Sequence, residues 1–151
     1  MEIERKYLVS RLPCNLASYP HRTIEQGYLS TEPVIRIRKD GETYELTYKS
    51  KGFMIREEYT LPLTPSSYEH LKTKIDGYLI TKERYNIPYG NQLTIELDYF
   101  LGDFSPLILA EVEFPDEASA NAFVPPDWFG KDVTFSSAYQ NSSLSQKGPL
   151  R

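Results

Sequence analysis

The sequence predicts a mainly β (α+β) protein: about eight antiparallel strands closed into a barrel with a charged interior and a few covering helices. Three observations point there. Alternating runs separated by turn signals recur eight times along the chain. Their connections are short, and the long helical crossovers that parallel strands need are missing. Charges also stand at every second position in several runs, as in Glu2, Glu4 and Lys6, Arg36 and Arg38, and Glu111 and Glu113. Side chains two apart on a strand share a face, so these strands are ionised on one side and apolar on the other.

The runs fall at 1–9, 22–29, 33–40, 43–51, 54–61, 78–87, 93–100 and 108–115. Thr31-Glu32-Pro33, Asp40-Gly41 and Gly90-Asn91 supply turns between them. Between the fifth and sixth runs, Thr64 caps a helix with Pro65 at its first position, Tyr68, Leu71 and Ile75 on one stripe, and Gly77 as its end. Asp116 starts a second helix carrying Ala118, Ala122 and Phe123, stopped by Pro125-Pro126. The stretch Val133 to Gln146 is rich in Ser and Asn and reads as a marginal helix or an irregular tail. Without a linker or an internal repeat, residues 1–151 form one domain, with 132–151 as a C-terminal plug or tail.

Parity places Glu2, Glu4, Lys6, Arg36, Arg38, Lys49, Arg56, Glu58, Lys82, Arg84, Glu96, Asp98, Glu111 and Glu113 on one face. Ile3, Ile35, Ile37, Leu46, Tyr48, Ile55, Tyr59, Ile95, Leu97, Val112 and Phe114 occupy the other. A sandwich would bury the apolar set and scatter the charges, yet the ionised face has few neutral fillers. A closed barrel with a wet, charged bore explains both faces. Two helices are too few for its whole outer wall, and a homodimer would cover the remainder.

Lys6, Arg36, Arg38, Lys49, Lys82 and Arg84 form a basic set suited to an extended polyanion, because arginine forks bind phosphate oxygens in pairs. The carboxylates are hard oxygen ligands without His or Cys beside them, which points to Mg²⁺ or Mn²⁺ rather than zinc. A formal net charge of −4 excludes a bulk basic field for nucleic acid. No apolar stretch reaches membrane-spanning length, and the lone Cys14 excludes an intrachain disulfide or a thiolate cluster, so the expected compartment is cytoplasmic. His21 and His70 read as surface residues, Cys14 as a packed or half-exposed thiol, Tyr28 and Tyr99 as core aromatics, and Lys131 as a loop charge. Neither a P-loop nor a GxSxG elbow is present.

MEIERKYLV at the start, RIR at 36–38, LTYKS at 46–50, REEYTL at 56–61, TKERY at 81–85, TIELDYF at 94–100 and LAEVEF at 109–114 resemble, in order, the CYTH superfamily of triphosphate tunnel metalloenzymes. GYLS at 27–30 and WFGKDVT at 128–134 further resemble its small bacterial branch, which acts on inorganic triphosphate. The resemblance implies an eight-stranded tunnel that hydrolyses tripolyphosphate to diphosphate and phosphate. It implies triphosphate binding by Lys6, Arg36, Arg38, Lys49, Lys82 and Arg84, and metal binding by Glu2, Glu4, Asp98, Glu111 and Glu113. Glu4, Lys6 and Lys82 are the candidate catalytic groups, with Arg56, Glu58 and Glu96 in the lining. It also implies that the C-terminal segment forms a helix plugging one tunnel end. The alternatives are a nucleoside or thiamine triphosphatase, a class IV-type adenylate cyclase, a non-catalytic polyphosphate or nucleotide sensor, and a ligand-free sandwich.

Overall fold

The computed structural model describes residues 1–90 and 92–150. Asn91, half of the expected Gly90-Asn91 turn, and Arg151 lie outside the described residues. Strands β1 (Glu2–Val9), β2 (His21–Thr31), β3 (Val34–Asp40), β4 (Thr43–Lys49), β5 (Ile55–Arg56) and β6 (Glu58–Pro62) precede helix α1 (Pro65–Lys72). Then come β7 (Asp76–Tyr89), β8 (Leu93–Phe100), β9 (Ile108–Glu113), α2 (Glu117–Asn121), β10 (Phe129–Asp132) and α3 (Asn141–Lys147).

The sheet runs β10-β1-β9-β8-β7-β2-β3-β4-β6, with every pairing antiparallel. The run expected at 54–61 is split at Glu57, and its first half, β5, turns away from β6 to pair with β1 through Glu2↔Arg56 and Ile3↔Ile55. That short seam nearly closes the barrel. Counting β5 and β6 as one broken strand and setting β10 aside, the wall has the eight strands that the alternation suggests. β10 adds to the outer edge of β1 through Tyr7↔Asp132 and Val9↔Phe129, a long-range pairing without a local sequence signal.

The apolar residues leave the bore in two directions. Outside the wall, Tyr7, Ile87, Ile95, Leu97, Val112, Phe114 and Phe129 form a core that Phe123 and Trp128 cover from the α2 side. Asp116 caps α2 by accepting from the Ser119 amide at 2.7 Å. On the opposite wall, Tyr68 of α1 is fully buried and donates to Glu25 Oε1 at 2.8 Å. The Thr64 cap and Pro65 stand where the sequence puts them, with Ser67 completing a capping box. The helix nevertheless stops at Lys72, ahead of Gly77: Ile75 has left it and packs over Gly27, where any Cβ would lie 2.8 Å from its side chain. Gly77 sits in β7 with φ +69, and a Cβ there would meet the Ser145 carbonyl at 2.1 Å. Tyr59 and Leu61 stay exposed on the outside of β6, the part of the wall that no helix covers.

Inside the barrel, the inward rows change from charged to apolar at one end. Leu8, Tyr28, Val34, Ile80, Phe100 and Leu109 meet there, and Leu144 of α3 packs among them with 1% of its surface exposed. The segment read as a marginal helix or tail is therefore a short helix against this end of the bore, with Leu144 as its buried apolar residue.

Candidate functional site

Within the wall lies a cavity of about 430 Å³. Of the fourteen side chains assigned by parity to the ionised face, thirteen line it, from Glu2, Glu4 and Lys6 on β1 to Glu111 and Glu113 on β9; the exception is Asp98. Sheet order sets the polarity of this space. β9, with Glu111 and Glu113, stands four places from β3, with Arg36 and Arg38, whichever way the ring is followed. The carboxylates of β9 therefore face the guanidinium groups across the bore.

The acidic side is crowded. Glu4 lies opposite Glu113, and Lys6 opposite Glu111, in the β1–β9 register. Burial, then Glu111 and Glu2, push the Glu4 carboxyl well above its ordinary range. Burial would also raise Glu111, but Lys6, Arg84 and Lys82 outweigh it and hold that group well below the usual range. Glu113 is raised by burial and by Glu2, Glu58 and Glu96; Glu58 is raised by burial and Glu2. Glu2 stays low despite burial because Lys49 Nζ stands 3.0 Å from Oε1.

The basic side is built in two ways. Arg84 forks onto Asp98, Nε to Oδ1 at 2.7 Å and Nη2 to Oδ2 at 2.8 Å, and Lys82 Nζ reaches the same Oδ2 at 2.7 Å. Burial lowers Lys82 to about 8 against the pull of Asp98. Among the described residues, Arg36 and Arg38 have no carboxylate partner. Arg36 is 6% exposed, donates only to Thr47 Oγ1 at 3.3 Å, and leaves Nε without an acceptor. Arg38 rests on Gln26 Oε1 through Nε and Nη2 at 3.0 and 2.7 Å, and burial, then Arg36 and Arg84, depress it to about 10. A buried guanidinium with an unpaired nitrogen, as in Arg36, beside a half-buried one held only by a neutral amide, as in Arg38, makes an arrangement that an anion completes.

Asp98, the fifth expected ligand, is fully buried behind the lining, where Arg84 contacts both of its oxygens and Lys82 one of them, so in this structure it braces two cations. The other four expected ligands, Glu2, Glu4, Glu111 and Glu113, all reach the cavity. Among the described residues no three His, Cys, Asp or Glu side chains form a cage for a metal ion. That is compatible with Mg²⁺, which keeps several waters and takes one or two carboxylates together with substrate phosphates. Burial, and after it repulsion from neighbouring carboxylates, raises Glu4, Glu58 and Glu113, and a divalent cation would relieve the repulsive part.

Several lining residues carry no sequence signal of this kind. Arg22, paired with Asp40, and Glu45 extend the charged wall; Gln26, Thr60 and Asn141 are neutral. Tyr28, read as core, belongs to both the apolar end and the lining. Tyr99 packs against the outer core, His21 is exposed and contacts Glu83, and Cys14 is exposed. A separate cavity of about 20 Å³, room for about one water, touches Glu4, Lys6, Arg56, Thr134 and Gln140.

A profile of the CYTH domain matches residues 1–146. An inorganic triphosphatase of Nitrosomonas europaea is 40% identical over 98% of this chain and 99% of its own length. An inorganic triphosphatase of Acetivibrio thermocellus is 30% identical over 95% of this chain and 92% of its own. The crystal structure of the inorganic triphosphatase NE1496 superposes with a TM-score of 0.75 at 37% identity, covering 99% of this chain and 97% of that one.

Proposed function

This chain belongs to the CYTH family, and on that premise we propose that it hydrolyses inorganic triphosphate to diphosphate and phosphate inside the barrel. The observation that carries the reading is the pair of Arg36, buried, and Arg38, half-buried, neither in a salt bridge among the described residues and both facing a bank of carboxylates across one cavity. Relatives sharing 40% and 30% identity over nearly the whole chain are inorganic triphosphatases, which supports the same substrate here.

In this reading Arg36 and Arg38 take non-bridging phosphoryl oxygens, and Lys82, Arg84, Lys49 and Lys6 surround the rest of the polyanion. Glu2, Glu4, Glu111 and Glu113 would hold a divalent cation, Mg²⁺ or Mn²⁺, which would supply Lewis-acid neutralisation of the phosphoryl charge. Glu4 orients a water beside the terminal phosphorus and receives its proton. The oxygen of that water forms the new P–O bond as the bridging P–O bond breaks, and the bridging oxygen leaves on diphosphate. Lys6 and Lys82 offset the charge that develops on the leaving group. We read the setting as cytoplasmic, a reading that the lone Cys14, unable to form an intrachain disulfide, supports; no described helix is long and apolar enough to cross a membrane.

Phosphate release from tripolyphosphate, ATP and thiamine triphosphate, each with Mg²⁺, Mn²⁺ or chelator, tests the proposal. Tripolyphosphate is expected to be the preferred substrate, and chelator to stop turnover. Because Glu4 must be ionised to act and burial, Glu111 and Glu2 raise its carboxyl in the metal-free protein, protons should compete with the metal, and the Mg²⁺ or Mn²⁺ concentration needed for half-maximal activity should rise as pH falls. Binding of tripolyphosphate without turnover under any metal would replace this reading with a sensor.

A further inference from the structure

We propose that Gln26 and Asn141 are positioning residues, a pair of neutral amides that aim Arg38 and Lys82 at the substrate while leaving the charge of Arg38 unspent. This inference rests on the triphosphatase reading and adds a role to two residues outside the charged set. Gln26 is fully buried on β2 and stands directly across from Arg38 of β3. Its Oε1 accepts both guanidinium bonds, at 3.0 and 2.7 Å, and its Nε2 donates to Asn141 Oδ1 at 3.1 Å and to the Tyr28 hydroxyl at 3.3 Å. Asn141 Oδ1 also accepts from Lys82 Nζ at 3.1 Å. The four side chains form one continuous line along the β3-β2-β7 wall, with Asn141 of α3 as the link between Gln26 and Lys82.

Chemistry fixes the sense of that line. A guanidinium only donates, so the Gln26 atom facing Arg38 is oxygen and its amino group must face Asn141. An ammonium likewise only donates, so Asn141 presents oxygen to Lys82 and to Gln26. A flip of Gln26 loses bonds at both ends of its amide, and a flip of Asn141 loses both bonds that its Oδ1 accepts.

The contrast with Arg84 gives the arrangement its meaning. Arg84 is oriented by Asp98, whose charge cancels much of its own. Gln26 gives Arg38 an equivalent two-point hold through a neutral oxygen, so orientation is obtained with the full cation left for the phosphoryl group. Asn141, the first residue of α3, brings the C-terminal helix into the same frame.

Gln26→Glu tests this, because glutamate keeps the shape and the bond to Arg38 but adds the charge that the proposal says is excluded. Tripolyphosphate binding is measured by calorimetry in chelator, alongside KM, kcat and Tm. Gln26→Glu is expected to weaken metal-free tripolyphosphate binding about tenfold or more and to raise KM, because the new carboxylate offsets the Arg38 charge and repels the polyanion; Tm reports separately on the bonds that Nε2 no longer donates to Asn141 and Tyr28. Gln26→Met, which frees Arg38 without adding charge, is expected to lower kcat. Asn141→Asp is the second route: an acid is tolerated at a helix N-terminus, so this variant folds, and its tripolyphosphate affinity should fall in the same way. A purely structural role leaves affinity unchanged in both acidic variants, and that result overturns the proposal. Absence of wild-type tripolyphosphate hydrolysis would instead overturn the function on which it rests, while the metal-free affinities still report on the amides.

Discussion

Glu4→Gln is expected to remove about 10²–10⁴-fold of tripolyphosphate turnover, the range for losing a positioned acid–base group, and to leave the fold intact. The side chain lies in the cavity, not in the apolar core, so the exchange opens no hole in packing. Glutamine also imitates the protonated acid, the form that burial, Glu111 and Glu2 favour. The stability of the two proteins should diverge with pH in a defined direction. A folded-state pKa above the unfolded value gives stabilisation that is complete below the unfolded pKa and is lost as pH rises through the folded one. Without metal, the wild type therefore loses stability relative to Glu4→Gln as pH increases from the ordinary carboxylate range upward. Thermal melts across that range, with phosphate release at each pH, check both parts. A fully active Glu4→Gln protein, or one that falls below the wild type in stability as pH rises, would contradict the assignment.

Arg36→Ala is expected to lower kcat/KM for tripolyphosphate by about 10²–10³-fold, as removal of a preorganised donor from a reacting charged group does. Arg36 is buried on β3, one of its nitrogens has no acceptor, and its neighbour Arg38 is lowered to about 10 by burial and by surrounding cations including Arg36 itself. Such a group destabilises the empty protein, so the alanine variant should have an equal or higher Tm while binding tripolyphosphate less tightly. Lys74→Ala, an exposed charge beyond the end of α1, is the control and should leave Tm and kinetics unchanged. Lys72 is a poorer control because it pairs with Glu25 at 2.9 Å. Equal kinetics for Arg36→Ala and Lys74→Ala would remove Arg36 from the binding site.

Much of this architecture was legible because charge alternation is a direct record of strand parity. Glu2, Glu4 and Lys6 face the cavity while Ile3 and Tyr7 pack outside, and the same separation holds for Arg36 and Arg38 against Ile37. Parity says which way a side chain points but not what stands across from it. Asp98 has the inward parity of a metal ligand, yet its cross-strand partner is Arg84, and that pairing is a matter of register between β7 and β8. Gln26 and Asn141 escaped notice because neutral amides leave no trace in a charge pattern, and β2 contributed no ionised residue to the expected face. Gln26 did have one signal: a glutamine between Ile24 and Tyr28 on an alternating strand is a buried polar group in need of partners. α3 buries Leu144 and Ser145, only the first of them apolar, so no apolar period announces it. α1 was overextended because Ile75 continues the helical stripe by spacing although its packing partner is Gly27, in another strand.

The central claim is that ionic groups from separate strands act together on one triphosphate within the barrel. A crystal structure with tripolyphosphate and Mn²⁺ tests it most directly. The expected result is a triphosphate in the bore, its oxygens on Arg36 and Arg38, with manganese between the phosphoryl oxygens and the carboxylates of Glu2, Glu4, Glu111 and Glu113. Tripolyphosphate bound on the outer surface, or manganese held away from those four glutamates, would contradict it.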